Sequence, residues 1–252
     1  MSAASREHRR GLVTAGLALA LVPAASAVPA ISAPAAVRPA VIGRRVIGHS
    51  VQGRPIVAWH LGEPGRRKVV LIAVMHGNES APRRILTDLR DGPPVHDVNL
   101  WVVPVYNPDG LAAGTRKNAH RVDLNRNYHY RWIPQDGGYE SGPRPASEPE
   151  TRAMMRFLTD VRPAYVVSFH QPLDGVDTPT EHPAFSRRLA HALRLPRKRF
   201  SCDGGCHGTM TMWFNQHFRG QAVTVEFGAH PSRGDLRGPV VRRLLRLFHA
   251  HR

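Results

Sequence analysis

The 252-residue chain is poor in lysine, aromatic residues and cysteine. Its lysines are Lys68, Lys117 and Lys198, so nearly all of its 35 basic residues are arginines, and against 19 acids they leave a net charge of +16. Charge of that size, taken alone, points to nucleic acid or another anionic surface. The aromatic residues, 7% of the chain, do not interleave with the arginines. The platform on which bases stack is therefore missing, and nucleic-acid binding is not expected. The cysteines are Cys202 and Cys206. Even with His207 they offer too few ligands for a tetrahedral zinc site, so a local disulfide is the expected pairing. Beyond the N-terminus no apolar run is long enough to span a bilayer, and no transmembrane helix is expected in the mature chain. With 42% apolar residues, 22 glycines and 22 prolines, the composition is neither collagen-like nor that of a disordered chain, and one domain is expected.

The N-terminus has export features. Arg6, Arg9 and Arg10 form a positive region, Gly11 to Val22 is apolar, and Ala25-Ser26-Ala27 supplies the small residues that a signal peptidase needs. Residues 1–27 are read as a secretory signal peptide. Arg9-Arg10 leaves a twin-arginine route open beside the general one, and an uncleaved anchor is the alternative, with an apolar part too short for a comfortable span. Residues 28–41, rich in Ala, Pro and Val, are read as a linker, and 42–252 as the folded domain of a protein that is secreted or associated with the cell envelope after cleavage. An oxidising compartment agrees with a disulfide between Cys202 and Cys206.

From Arg45 to Leu61, two strand-like runs flank the Gly53 and Pro55 turn, which predicts a hairpin at a sheet edge. Beyond it, β-branched runs alternate with amphipathic stretches, the pattern of a single α/β domain with helices on both faces of its sheet. Buried strands are predicted at 68–74, 99–105, 164–169 and 222–227, and helices near 80–90, 183–194, 207–217 and 238–250. A further helix follows Ser147. Ser147 and Glu150 read as a capping box, Pro149 sits in the first turn, and Met154, Phe157, Leu158 and Val161 share one face.

Chemistry enters at strand ends. His76-Gly77-Asn78-Glu79 follows the first buried strand, and Ser168-Phe169-His170 ends a later one. Open α/β sheets hold ligands at the carboxyl ends of their strands, and two histidines with one carboxylate are the ligand set of a hydrolytic zinc site. Read one at a time, His76 and His170 are hydrogen-bonded structural histidines, and Glu79 is a carboxylate at a helix start. Read together, the three favour one metal ion. A carboxylate must then take the proton of the activated water. Of the acids after His170, only Glu226 lies inside a β-branched strand run, near its carboxyl end. Its alternative is an inward glutamate paired to an arginine. The loops Tyr106–Gly110, Thr115–Asn118 and Val122–Tyr128 carry Arg and Asn side chains suited to a substrate carboxylate and an oxyanion, beside their ordinary use in turns.

Taken in order, HGNE, NPDG, TRKN, VDLNRNY, SEPET, SFH and VEFG resemble the zinc carboxypeptidase superfamily from about Val46 to Glu226. HSVQGRPIVAWHLG before the first motif is similar to the bacterial murein peptide amidase branch, which cleaves the γ-D-glutamyl–diaminopimelate amide of cell-wall peptides. The resemblance implies a zinc carboxypeptidase-like mixed, twisted sheet and one Zn2+ held by His76, Glu79 and His170. It further implies Arg116 at the oxyanion, Asn125 and Arg126 on the terminal carboxylate of the substrate, and Glu226 as general base and then acid. The tyrosine that caps substrate in the pancreatic enzymes has no matching position here, which leaves Tyr128, Tyr130 and Tyr139 unassigned, and Phe214 lies in a segment without a counterpart. The expectation is an exported zinc metallopeptidase acting on murein peptide. A general secreted metallocarboxypeptidase is the nearer alternative, and a non-catalytic envelope-binding protein the further one. The positive charge would favour retention on an anionic envelope.

Overall fold

The computed structural model describes residues 39–178, 182–200, 202 and 206–252. The expected signal peptide and nearly all of the expected linker lie outside them. Strand β1 (Val41–His49) already includes the last residue assigned to the linker, and Ala40 is packed in the core, so the domain begins slightly earlier than its sequence pattern suggests.

The hairpin forms as expected, with β1 antiparallel to β2 (Pro55–Gly62) at the sheet edge. Next come β3 (Lys68–Ala73), α1 (Arg83–Asp91), β4 (Asn99–Val103), the short α2 (Pro108–Ala113) and α3 (Pro149–Val161). The chain continues through β5 (Tyr165–His170), β6 (Leu173–Asp177), α4 (Pro183–Leu193), β7 (Arg197–Lys198), α5 (Met210–His217), β8 (Gln221–Gly228), α6 (Arg233–Arg237) and α7 (Pro239–Leu247). The eight strands run in the order β1-β2-β4-β3-β5-β8-β6-β7. The middle four, β4-β3-β5-β8, are parallel, while β2 and β6 flank them antiparallel.

Parallel central strands must be covered on both faces, and their residues divide accordingly. Val69, Leu71, Val167, Phe169, Val223 and Val225 face a core built with α1, α4 and α7. Val70, Ile72, Val166 and Ala222 face the other way, against α3 and α5. On α3, Met154, Phe157, Leu158 and Val161 are buried as their spacing predicts; truncating Phe157 to alanine would cost about 3–5 kcal/mol. Phe214 is core, packed against Phe218.

The predicted C-terminal helix forms as α7, with Pro239 in its first turn where a missing backbone donor is harmless, and the short α6 ahead of it is an additional element. One expectation changes. Ser147 and Glu150 do not form a capping box. Ser147 Oγ donates to Glu148 and accepts from Asn127 Nδ2, while Glu150 is buried and accepts from the backbone N–H of Val51 and from Asn118. Both side chains have more distant partners that draw them from the helix end. The helix begins instead with Glu148 as its flanking residue and Pro149 in its first turn.

Candidate metal centre and cleft

The parallel register places the chemistry. His170 is the last residue of β5, and the pairing sets it opposite Glu226 near the end of β8. One strand away, the chain leaves β3 through Val74, a buried β-branched residue held at φ 56°. That conformation is unfavourable for valine and marks a turn fixed by its surroundings. His76 and Glu79 follow. Gly77 between them is required by close approach: a Cβ there would fall 1.9 Å from the carbonyl carbon of Gly110 in the NPDG loop. The turn is further tied by Asn107, whose Nδ2 donates to the Met75 carbonyl and whose Oδ1 accepts from the Gly110 N–H.

His76, Glu79 and His170 are buried, and one ligand atom from each lies within 4.8 Å of the others. The imidazoles are set apart by their second nitrogens. His76 Nε2 meets Asp123 Oδ1 at 3.0 Å, and His170 Nε2 meets Ser168 Oγ at 2.9 Å. The two Nδ1 atoms face each other at 3.2 Å, with Glu79 oxygens at 2.7 Å from His76 Nδ1 and 2.9 Å from His170 Nδ1. Partners on the outer nitrogens fix ring orientation and leave the inner nitrogens for a cation. Two imidazole nitrogens and a carboxylate are a donor set for zinc, and the residues fit that ion.

The electrostatics follow from burial. Desolvation opposes charge on His76, but Asp123 and Glu79 outweigh it and lift its pKa to about 9. Desolvation likewise opposes charge on Glu79 and Asp123, yet the histidines, together with Arg116 and Arg126 at Asp123, hold both below the ordinary carboxylate range. Glu226 goes the other way: burial, aided by Glu79, raises it. The only hydrogen bond found for it among the described residues is a long one, 3.4 Å, from the Leu173 N–H.

A cleft of about 720 Å³ opens over the centre. His76, Glu79, Arg116, Asn125, Arg126 and Glu226 all line it, and His170, which does not, meets His76 and Glu79 behind that lining. Arg116 donates from Nε and Nη2 to Asp123 Oδ2 and from Nη1 to Glu79 Oε1. Arg126 is buried, with Nη1 on the Asn125 carbonyl, Nη2 3.0 Å from Cys202 Sγ and no partner for Nε. Cys202 and Cys206 are joined by a disulfide at the wall of this cleft. Asn125 Oδ1 accepts from the Met210 N–H.

Other motif residues serve the scaffold. Asp109 of NPDG accepts from Ser50, the Gln52 N–H and Arg54, fastening the β1–β2 turn, and Asn118 donates to Glu148 and Glu150. Of the three unassigned tyrosines, Tyr128 is buried with its hydroxyl on that of Tyr106, and Tyr130 packs beside the α5 core. Tyr139 lines the cleft, its ring centroid 4.6 Å from the Arg126 guanidinium carbon and 5.7 Å from that of Arg116.

Sequence reasoning missed Asp123 and Asp177. Asp123 sits between the buried Val122 and Leu124, and that flanking pattern was its one sequence signal. Asp177, at the end of β6, lines the cleft with an unpartnered, buried Oδ1. Burial and the nearby Glu226 raise its pKa to about 7, against backbone N–H groups of Phe200 and Thr178 and the charge of Arg199.

A family model described as zinc carboxypeptidase matches residues 31–186. Murein peptide amidase A of Escherichia coli is 34% identical over 166 residues, which cover 57% of this chain and 65% of that protein. Murein peptide amidase A of Vibrio campbellii is 31% identical over 188 residues, covering 69% and 75%. Among solved structures, a murein-tripeptide amidase from Escherichia coli superposes with TM-score 0.70 at 28% identity, over 84% of this chain and 93% of that one. Carboxypeptidase A from Helicoverpa armigera gives 0.69 at 16% identity, over 84% and 68%, a likeness of fold alone.

Proposed function

The chain belongs to the zinc carboxypeptidase family, and from that premise we propose that it is an exported zinc-dependent hydrolase. It cleaves an amide beside a terminal carboxylate, with γ-D-glutamyl–diaminopimelate peptides of the cell wall as its substrates. The observation that carries this reading is the convergence of His76 Nδ1, His170 Nδ1 and the Glu79 carboxylate, with His76 and Glu79 also lining the cleft.

His76, Glu79 and His170 would hold the metal, which when bound supplies a Lewis acid for the scissile carbonyl and acidifies water. Glu226 takes a proton from the attacking water and delivers it to the leaving nitrogen. Its raised pKa suits both halves of that task, since a carboxylate closer to neutrality returns a proton more readily. Arg116, oriented by Asp123, presents charge where an oxyanion develops. The buried Arg126, with Nε unpartnered, receives the substrate carboxylate, helped by Asn125.

Murein peptide as substrate is supported by the amidase relatives and by the far wall of the cleft. Diaminopimelate carries an ammonium and a carboxylate at the end of its side chain. Asp177, with its unpartnered oxygen, and the neighbouring Arg199 offer complementary charges. The export features at the N-terminus and the net charge of +16 are consistent with a place in or near an anionic envelope.

The test is zinc analysis of the purified protein followed by incubation with L-Ala-γ-D-Glu-meso-diaminopimelate or with ordinary peptides, each with and without chelator. Release of diaminopimelate that chelation abolishes is expected. Release of ordinary C-terminal residues alone would replace the murein assignment by a general carboxypeptidase, and zinc binding without turnover would leave an envelope-binding protein.

A further inference from the structure

The end of the molecule opposite the cleft has two concave surfaces that catalysis does not use. The catalytic groups sit at the carboxyl ends of the parallel strands; Tyr165, at the start of β5, lies five residues from His170, or about 16 Å along the strand. One groove, of about 680 Å³ between α4 and α7, is lined by arginines that include Arg187, Arg194, Arg243 and Arg246. The second, of about 860 Å³, lies at the beginnings of β3, β5 and β8 and includes Arg67, Arg162 and Arg219. Tyr165 lines the second groove and its hydroxyl accepts from Arg188 of the first, so the two adjoin.

Among the described residues, no carboxylate lines either groove. Arg66 at the rim of the second is engaged by Glu63 and Asp97 and is discounted. Among the described residues, none of the seven arginines just named in the two grooves is in an ion pair with an acid, although four share the first groove and three the second. Concentrating like charges in two concavities makes them attractive to an anion, and guanidinium groups match phosphate oxygens in paired fashion.

We propose that these adjoining grooves form a binding surface for a linear polymer of repeating phosphates, of the kind found on anionic cell envelopes. The protein is thereby held by the end remote from its cleft. Two grooves in series suit a chain of charges better than a single anion. A bilayer is disfavoured because the large exposed apolar residues, Ile42, Val46, Ile133 and Leu173, line neither groove. Base recognition is disfavoured because the tyrosine and phenylalanine rings at hand are occupied: Tyr165 packs on Phe185 and Phe248, and Phe218 on Phe214. The inference does not depend on the catalytic assignment.

Binding of the full chain to long-chain inorganic polyphosphate tests it, by fluorescence anisotropy in about 50 and 200 mM salt, with anionic phosphatidylglycerol vesicles, duplex DNA and orthophosphate as parallel arms. Polyphosphate binding should weaken steeply with salt. It should fall about tenfold or more in each of Arg194→Glu/Arg246→Glu and Arg162→Glu/Arg219→Glu, but less than about threefold in Arg44→Glu/Arg121→Glu, which changes net charge equally elsewhere. Peptide hydrolysis should be unchanged in all three. Equal losses in the three variants would reduce the effect to net charge and overturn the proposal. So would equal displacement by orthophosphate at matched phosphate concentration, or tighter binding to vesicles or DNA.

Discussion

The cleft has two halves that treat their buried polar atoms differently. At the metal centre, every outer nitrogen and carboxylate oxygen that could misalign a ligand is tied: His76 to Asp123, His170 to Ser168, Arg116 to Asp123 and Glu79. On the wall that would face the substrate's terminal residue, Arg126 Nε and Asp177 Oδ1 are buried without partners. A satisfied network is rigid and holds its geometry unaided, whereas unpartnered buried atoms carry a desolvation cost that an incoming group of the right chemistry relieves. On the function proposed above, the first half would hold an ion and the second would be completed by substrate.

Substitutions can break that contrast. The largest effect is expected for His170→Ala, which removes a ligand: stoichiometric zinc should be lost, with activity falling to background, as measured by metal analysis beside a peptide-release assay. Glu226→Gln should retain zinc while lowering turnover by about 10²–10⁴-fold, the usual contribution of a positioned proton carrier. In the parent, kcat/KM should rise with pH through a value above the ordinary glutamate range, because burial favours the protonated form of Glu226 and only its ionised form accepts a proton. Undiminished turnover in Glu226→Gln would remove Glu226 from the reaction. Arg126→Met should lower kcat/KM by about 2–5 kcal/mol of transition-state binding, while leaving the free protein no less stable, since the guanidinium is incompletely satisfied without substrate.

Asp123→Asn should weaken zinc affinity about 10–100-fold, measured by competition with a chelator, since it loosens His76 without deleting a ligand. At Asp177 the expected change is in stability, not in zinc affinity or turnover. Its pKa is raised from 3.8 to about 7 in the folded state. Its protonated form is therefore favoured by folding, and the stability this provides is fully present below pH about 3.8 and lost as pH rises toward 7. Asp177→Asn should melt higher than the parent at pH 8 and equal to it near pH 3.5. An unchanged difference across that range would mean that the carboxylate is satisfied after all.

The two halves were also unequally legible in the sequence. The candidate metal ligands announce themselves because histidine and glutamate stand at the carboxyl ends of β-branched runs, and the strands, hairpin and helix faces follow from period and turn residues. Asp123 was not legible, since its significance lies in a hydrogen bond to a residue 47 positions away. Asp177 reads as one acid among several until β6 sets it beside Glu226 and the disulfide wall. The capping box failed for the same reason: Ser147 and Glu150 obey a local rule, but Asn127, Asn118 and Val51, all distant in sequence, compete for them. Local patterns locate elements, and only the assembled chain decides which polar atoms are left over.

The contact between Gly77 and Gly110 bears on any attempt to transplant this site. The two loops are pressed together so closely that a single methyl group at Gly77 would overlap the opposite backbone. A designer who copies only His76, Glu79 and His170 onto a new scaffold would carry away the donors without the flush surface that aims them. The smallest portable unit contains both loops, seated back to back.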